Sequence, residues 1–189
     1  MRKLLLHVCC GPCSTHVITE LGKEYEIIIF FCNPNIYPKE EYERRLSASK
    51  EVAKKMNIGF IEGEYDFDLW NNSVKGFESE PEGGKRCDKC IEIRLKKTAE
   101  LAKAQGFDIF STTLTTGPQK SPKKINEIGK KVGGEFWIEF LSADFKKKDG
   151  HLKSIKMSNE MGIYRQNYCG CEFSMRSEDS ALVGRNTRA

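Results

Sequence analysis

The chain has 189 residues, 39% of them hydrophobic and 31% charged, and a formal net charge of +4. This length supplies one well-filled core and is too short for two ordinary domains, and the composition is typical of a globular protein. The first apolar run is too short for a signal-peptide core and no later stretch could span a membrane, so we expect a cytoplasmic protein. The mild positive charge permits nucleic-acid binding but does not by itself argue for it.

Strands and helices alternate along the predicted chain. Apolar runs predict strands at 3–8, 25–31, 58–62, 107–113 and 136–141. Apolar periodicity and capping residues predict helices at 14–21, 39–56, 66–74, from Cys90 to about 105, 122–132 and 151–161. This order predicts an α/β fold, a Rossmann-like three-layer sandwich with a mainly parallel sheet of about five strands. We expect one domain over 1–173 and a polar tail over 174–189.

Several helix limits have local signals. Ser14 is predicted to cap the first helix, and Ser121 followed by Pro122 to begin the fifth. Gly133 and Gly134 are predicted to end that fifth helix. In the second helix, Arg45 lies off the apolar face and is expected to point away from the core.

Seven of the eight cysteines fall into three groups, which are Cys9, Cys10 and Cys13, then Cys87 and Cys90, then Cys169 and Cys171. Cytosolic thiols stay reduced, so structural disulfides do not account for them. The first two groups precede predicted helices, whose positive ends lower thiol pKa values. The first group also follows the first strand, at the edge where open α/β sheets hold ligands. We therefore expect the first two groups to form one site.

Two cysteines from each of these groups make a four-thiolate set. Such a set fits a structural zinc ion or an iron–sulfur cluster. The adjacent pair Cys9 and Cys10 suits a zinc knuckle poorly and favours the cluster, while a metal-free set of redox thiols is a third interpretation. The residue three positions after Cys13 is His16, so a radical-SAM pattern is absent from the sequence.

Cys169 and Cys171 are separated only by Gly170. Cysteines this close can form a small disulfide ring, and glycine provides the backbone freedom that the ring needs. A strained bridge is easily reduced, so we interpret the pair as a redox-active dithiol, with two metal ligands or two buried thiols as the alternative.

Other residues have simpler interpretations. His7 and Cys32 are expected to be core residues, and Cys13 either faces the site or packs against the first helix. The lysines at 146–148, 153 and 156 form either a solvated face or a contact to a phosphate backbone.

Five motifs occur in an order that resembles the cobalamin-independent (QueH-like) epoxyqueuosine reductases. They are His7-Val8-Cys9-Cys10-Gly11-Pro12-Cys13-Ser14, Phe31-Cys32-Asn33-Pro34-Asn35-Ile36-Tyr37-Pro38, Arg86-Cys87-Asp88-Lys89-Cys90, Thr112-Thr113-Leu114 with Ser121-Pro122, and Tyr164-Arg165-Gln166-Asn167-Tyr168-Cys169-Gly170-Cys171. The resemblance covers roughly residues 3–173.

The resemblance implies reduction of epoxyqueuosine to queuosine at the wobble position of tRNA. It implies a [4Fe–4S] cluster held by Cys9, Cys10, Cys87 and Cys90, and a redox-active pair formed by Cys169 and Cys171. Because an iron near the epoxide oxygen would stabilise the developing alkoxide, we further expect an additional mononuclear iron held by Cys13 or by the Cys169–Cys171 pair. The expected partners are tRNA carrying epoxyqueuosine and an electron donor that the sequence does not name.

Two other functions are compatible with part of the pattern. The element order also resembles ATP-dependent tRNA-thiolating enzymes with the adenine-nucleotide-hydrolase topology. Those enzymes need a Ser-Gly-Gly-x-Asp-Ser loop after the first strand, where this chain has cysteines and Gly11-Pro12. A zinc-stabilised nucleic-acid-binding module is the non-enzymatic alternative, and it would be colourless when purified.

Overall fold

The computed structural model describes residues 1–175. Its strands are β1 (Arg2–His7), β2 (Tyr25–Phe31), β3 (Gly59–Glu62), β4 (Ile109–Thr112) and β5 (Glu139–Phe140). Its α-helices are α1 (Gly11–Leu21), α2 (Lys39–Met56), α3 (Phe67–Val74), α4 (Lys85–Ala104), α5 (Pro122–Phe136) and α6 (Gly150–Glu160). Short 3-10 helices occupy Thr113–Thr116 and Glu172–Ser174. From residue 176 on, the predicted polar tail lies outside the described residues.

The five strands form one sheet in the order β3-β2-β1-β4-β5, and every neighbouring pair is parallel. β1 is central, with Leu4 opposite Ile27 of β2 on one side and Ile109 of β4 on the other. This confirms the predicted Rossmann-like α/β fold. Because all strands are parallel, their carboxyl ends lie at the same edge of the sheet.

The sheet is buried on both faces. Leu4 and Leu6 pack on one face in a cluster with Val17 of α1 and Val52 of α2. Leu5 packs on the opposite face in a cluster that includes residues of α4 and α5. The middle of β1 (Leu4, Leu5 and Leu6) and most of β2 are therefore apolar, as expected for parallel strands covered by helices on both sides.

Helix α5 continues through the glycine pair that was predicted to end it. A Cβ atom on Gly129 would overlap the Phe140 ring, and one on Gly133 would lie 2.7 Å from the Ile138 carbonyl oxygen. Glycine thus lets α5 approach β5 closely. The helix ends instead at Phe136, and its C-cap residue, Trp137, has a left-handed backbone conformation.

None of the helices within residues 1–175 has the combination of length and apolar composition that crossing a bilayer requires.

Candidate active site

The first thiol group lies between β1 and α1, at the carboxyl edge of the sheet. Cys10 is the N-cap of α1 and has an extended backbone, and Pro12 lies in the first turn, where its missing N–H is tolerated. The Sγ atoms of Cys9 and Cys10 are 3.9 Å apart. The predicted cap at Ser14 is wrong, because its Oγ lies inside the helix and donates to the Gly11 carbonyl at 2.7 Å. Cys13 is therefore a residue of the first helical turn.

The second thiol group lies within α4, so its predicted position in a turn before the helix is wrong. The helix begins at Lys85, and Cys87 and Cys90 lie three residues apart on one face of its first turns. The Gly83 N–H donates to Cys87 Sγ at 3.2 Å. Cys90 is buried in a cluster with Trp70 and Cys171. This packing brings the second and third thiol groups together.

The third thiol group surrounds Gly170, whose φ of 128° favours glycine. Cys169 is half-buried and Cys171 is buried, and all eight cysteines are free thiols. The segment is held by Arg45 of α2, which donates to the carbonyl oxygens of Cys169 at 2.9 Å and Tyr168 at 3.1 Å.

Arg45 contradicts its prediction as an outward-pointing residue, since its side chain is only 1% exposed. Its Nε lies 2.7 Å from Glu41 Oε1, so the buried guanidinium has a carboxylate partner. That ion pair and two carbonyl acceptors offset the desolvation of the charge. Arg45 thereby fixes the irregular backbone that carries Cys169.

The three thiol groups meet around Arg94, a buried residue of α4 that was not predicted as part of the site. Its Nε donates to the Cys90 carbonyl at 3.1 Å, and it lines the same cavity as Cys9 and Cys169. The sequence did contain a signal that Arg94 belongs to the site. Arg94 follows Cys90 by four residues, so the two residues lie on the same face of the helix.

Burial and neighbouring thiols raise the pKa values of several cysteines. The hydrogen bond to Cys10, followed by burial, raises the pKa of Cys9. The hydrogen bond to Cys13 contributes most to raising the pKa of Cys10 to about 12, and burial raises that of Cys90. The expected lowering by helix N-termini is therefore wrong for these three thiols. Without a metal they retain their protons, and metal binding must displace them.

A cavity of about 380 Å³ lies beside the thiols and is lined by Cys9, Cys13 and Cys169 together with Lys120 and Arg94. Lys120 Nζ lies 2.9 Å from Cys169 Sγ and 3.1 Å from Glu82 Oε1. Although burial disfavours the ammonium form, the charge and hydrogen bond of Cys169 raise the pKa of Lys120 above its ordinary value. Lys120 was also missed, although it directly precedes the predicted helix cap at Ser121.

Three buried polar atoms on residues of the cavity wall have no hydrogen-bond partner among the described residues. They are His151 Nδ1 and Ser154 Oγ of α6 and Gln166 Oε1. Buried polar atoms are normally paired, so this wall offers hydrogen bonds to a polar ligand.

His7 and Cys32 lie outside the cavity, as expected for core residues. His7 is fully buried, with Nδ1 2.9 Å from Thr112 Oγ1 and Nε2 3.3 Å from the Cys32 carbonyl oxygen. Burial lowers the pKa of His7 to about 3, so its ring is neutral. Cys32 is 3% exposed and packs in the core.

The donor set of Cys9, Cys10, Cys87 and Cys90 fits an iron–sulfur cluster better than a single ion. Within residues 1–175, no group of three or more His, Cys, Asp or Glu side chains is arranged to hold one metal ion. A [4Fe–4S] cluster does not require that arrangement, because each thiolate binds a different iron. Four thiols drawn from two groups beside a buried cation match its chemistry.

Fold and site together define a Rossmann-like α/β protein with a cysteine-based site at the ligand-binding edge of its sheet. The model of the family described as "Epoxyqueuosine reductase QueH" matches residues 4–177, nearly the whole chain. The chain belongs to this family.

Curated relatives agree with this assignment. The epoxyqueuosine reductase QueH of Streptococcus pyogenes serotype M1 is 39% identical, and the match covers 95% of this chain and 73% of that protein. The epoxyqueuosine reductase QueH of Thermotoga maritima is 38% identical, and the match covers 98% of this chain and 97% of that protein.

Among solved structures, "U34-tRNA thiolase NcsA from Methanococcus maripaludis with its [4Fe-4S] cluster" superposes with a TM-score of 0.58 at 15% identity. That match covers 98% of this chain and 66% of the thiolase. A predicted tRNA methyltransferase subunit from Methanocaldococcus jannaschii gives a TM-score of 0.54 at 15% identity, covering 81% of this chain and 76% of that one. At this identity the likeness shows a shared fold.

Proposed function

We propose that this chain is an epoxyqueuosine reductase, which removes the epoxide oxygen of epoxyqueuosine at the wobble position of tRNA and leaves queuosine. The observation that carries the proposal is a cavity lined by Cys9, Cys13 and Cys169, with Cys90 packed against Cys171 behind it, in a chain that belongs to the epoxyqueuosine reductase family. A cavity lined by thiols and a buried cation suits a reduction in which oxygen leaves as water.

The proposed reaction balances with the thiols of this chain. Converting an epoxide to an alkene consumes two electrons and two protons and releases one water. Oxidation of Cys169 and Cys171 to a disulfide supplies two electrons and two protons. Regenerating the dithiol then requires an external electron donor.

We propose that Cys9, Cys10, Cys87 and Cys90 hold a [4Fe–4S] cluster. When bound, the cluster would supply electrons one at a time and a Lewis-acidic iron close to the dithiol. The protein's part is to keep the four thiols at one edge of the sheet, with two at the start of α1 and two on α4.

Side chains around the cavity have separate roles. Lys120 stays protonated and donates a hydrogen bond to Cys169 Sγ, which stabilises negative charge on that sulfur. The unpartnered atoms of His151, Ser154 and Gln166 are placed to bind hydroxyl or amide groups of the substrate nucleoside.

An additional mononuclear iron, held by Cys13 or by Cys169 and Cys171, is part of this proposal. Iron counting on anaerobically purified protein tests it. Iron in excess of one [4Fe–4S] cluster per chain is the expected result, and no excess would contradict it.

The proposed partner is tRNA, and the protein would then work in the cytoplasm, where tRNA is modified. Helix α6 provides His151 and Ser154 to the cavity. The exposed Lys153 lies on the same helix, and the exposed Lys147 and Lys148 directly precede it. A tRNA whose modified base enters the cavity would bring its phosphate backbone close to these lysines.

The decisive experiment uses tRNA from a strain that lacks this protein. We expect epoxyqueuosine to accumulate there, and the cloned gene to restore queuosine. A strain with unchanged queuosine would reject the proposed activity.

The cluster is tested separately by anaerobic purification. We expect a brown protein with broad visible absorption that bleaches on reduction, and loss of this absorption in Cys87→Ala and Cys90→Ala. Cys32→Ala is the matched control, since Cys32 packs in the core, and it should keep the absorption. A colourless wild-type protein containing zinc would favour the zinc-module alternative.

A further inference from the structure

Arg94 is a buried cation that has no carboxylate partner among residues 1–175. Its side chain lies on α4 and the residue is 3% exposed. Nε donates to the Cys90 carbonyl at 3.1 Å, and one terminal nitrogen lies 3.5 Å from Asn33 Oδ1. Both acceptors are neutral. In contrast, the equally buried Arg45 has an ion pair with Glu41.

A buried charge is strongly unfavourable unless an opposite charge compensates it. The thiol-bearing residues beside Arg94 are Cys90, whose carbonyl oxygen accepts its Nε–H, and Cys9 and Cys169, which line the same cavity. Two of these, Cys9 and Cys90, belong to the proposed cluster ligands. The hydrogen-bond acceptors of Arg94 within residues 1–175 are neutral, so in the metal-free chain nothing among the described residues compensates the guanidinium charge.

We propose that Arg94 is the buried counter-charge of the iron–sulfur cluster and raises its reduction potential. This inference rests on the cluster assignment in the proposed function. Each added electron makes a thiolate-bound cluster more negative, and a fixed cation next to its ligands stabilises the more negative state. Arg94 acts on the reaction through the cluster ligands and is a positioning residue.

The assignment has two opposite consequences. In the metal-free protein, a neutral side chain at position 94 removes an uncompensated buried charge and should stabilise the fold. In the loaded protein, the same change removes the compensation of the anionic cluster and should make its reduction more difficult. A residue that only fills space would not produce this reversal.

The first test is a redox titration of the anaerobically loaded protein, followed by its visible absorption and by electron paramagnetic resonance. For Arg94→Met and Arg94→Gln we expect the ratio of reduced to oxidised cluster at a fixed applied potential to fall at least tenfold. For one electron this equals a shift of about 59 mV. Arg94→Lys keeps the charge and should restore most of the potential. A potential equal to that of the wild type in both neutral variants would overturn the proposal.

The second test measures urea unfolding of the chelated, metal-free proteins. Arg94→Met should have a higher midpoint than the wild type. Arg45→Met is the matched control and should have a lower midpoint, because it leaves Glu41 buried without its partner. An Arg94→Met protein that is less stable than the wild type in the metal-free state, or that does not fold, would overturn the proposal.

These tests distinguish the role of Arg94 from the proposed activity. A wild-type enzyme that carries the cluster and reduces epoxyqueuosine, with neutral Arg94 variants of unchanged potential, would reject only the role of Arg94. A wild-type protein without cluster or activity would reject the proposed function, while the unfolding test would still show whether the buried guanidinium lacks a counter-charge.

Discussion

Lys120 Nζ lies 2.9 Å from Cys169 Sγ, and Glu82 Oε1 lies 3.1 Å from the same nitrogen. The cation is therefore held from one side by a carboxylate and faces a half-buried thiol on the other. Of the two thiols that flank Gly170, Cys169 lines the cavity and has this partner, while Cys171 is buried and hydrogen bonds to Ser174 Oγ. The two thiols of the pair thus have distinct environments.

Replacing Lys120 by Met should slow alkylation of Cys169 by iodoacetamide about tenfold. The thiolate is the reactive form, and the Lys120 ammonium 2.9 Å from the Cys169 sulfur favours negative charge there. Mass spectrometry of the peptide that contains Cys169 measures the rate in the metal-free protein. Lys120→Arg keeps a cation and should react nearly as fast as the wild type. Equal rates for the Met variant and the wild type would show that the lysine does not activate Cys169.

Gly170→Ala should destabilise the fold by about 1–3 kcal/mol and abolish most activity. The φ of 128° strains any L-residue, and the new Cβ atom would lie 2.9 Å from a terminal nitrogen of Arg45. Urea unfolding gives the stability, and a single-turnover assay gives the activity. Gly162→Ala is the control, because it also has a positive φ but open space around the added Cβ atom. If both variants lose the same activity, backbone strain alone explains the effect.

Neutralising the lysines beside α6 should weaken tRNA binding without affecting the metal site. For Lys147→Gln with Lys148→Gln, we expect tRNA affinity to fall severalfold. The slope of its salt dependence should decrease by about 0.7–0.9 for each of the two lysines that binds a phosphate. Lys54→Gln is a suitable control, since Lys54 is exposed near the C-terminal end of α2, toward the opposite edge of the sheet. An unchanged salt dependence in the double variant would remove this surface from the tRNA interface.

The stability of the metal-free protein should fall between pH 9 and pH 11, partly because of Cys32. Burial raises the pKa of this thiol from 9.0 to about 11, so the unfolded chain releases the proton first. The stabilising contribution is complete below pH 9 and is lost as the pH rises toward 11, up to roughly 2–3 kcal/mol. Cys32→Ala should be less stable at pH 7 but lose less stability over this range. Parallel unfolding curves at pH 8 and pH 10.5 measure the difference, and identical losses would contradict the assignment.

The sequence predicted the sheet well because strand signals in a parallel α/β protein are strong and local. The run Tyr25–Phe31 is apolar on both faces and was placed with its observed bounds. Gly133 was wrongly predicted to end α5. Its lack of a side chain instead allows a close tertiary contact with β5, which turn preferences do not describe. A helix terminator and a close-packing glycine look the same in one sequence.

The sequence predicted which cysteines belong to the candidate site, but it did not predict the buried basic residues beside them. Cysteines are rare enough for their spacing to be informative, whereas a basic residue on a helix is usually exposed. Arg45 and Arg94 are buried because each meets groups distant in sequence, the carbonyl of Cys169 in one case and Asn33 Oδ1 in the other. Such pairings depend on the fold, and so does the position of Lys120 beside Cys169.

The thiols that line the cavity together with Arg94 come from opposite ends of the chain, with Cys9 near the start and Cys169 near the end. During synthesis on the ribosome, the first pair of thiols emerges long before the α4 pair, and the dithiol emerges last. Iron inserted before residue 90 has been translated would meet only half of its proposed ligands. Cofactor loading should therefore wait at least until the α4 pair has been translated, and iron limitation should leave complete but unloaded chains with a buried arginine that lacks its counter-charge.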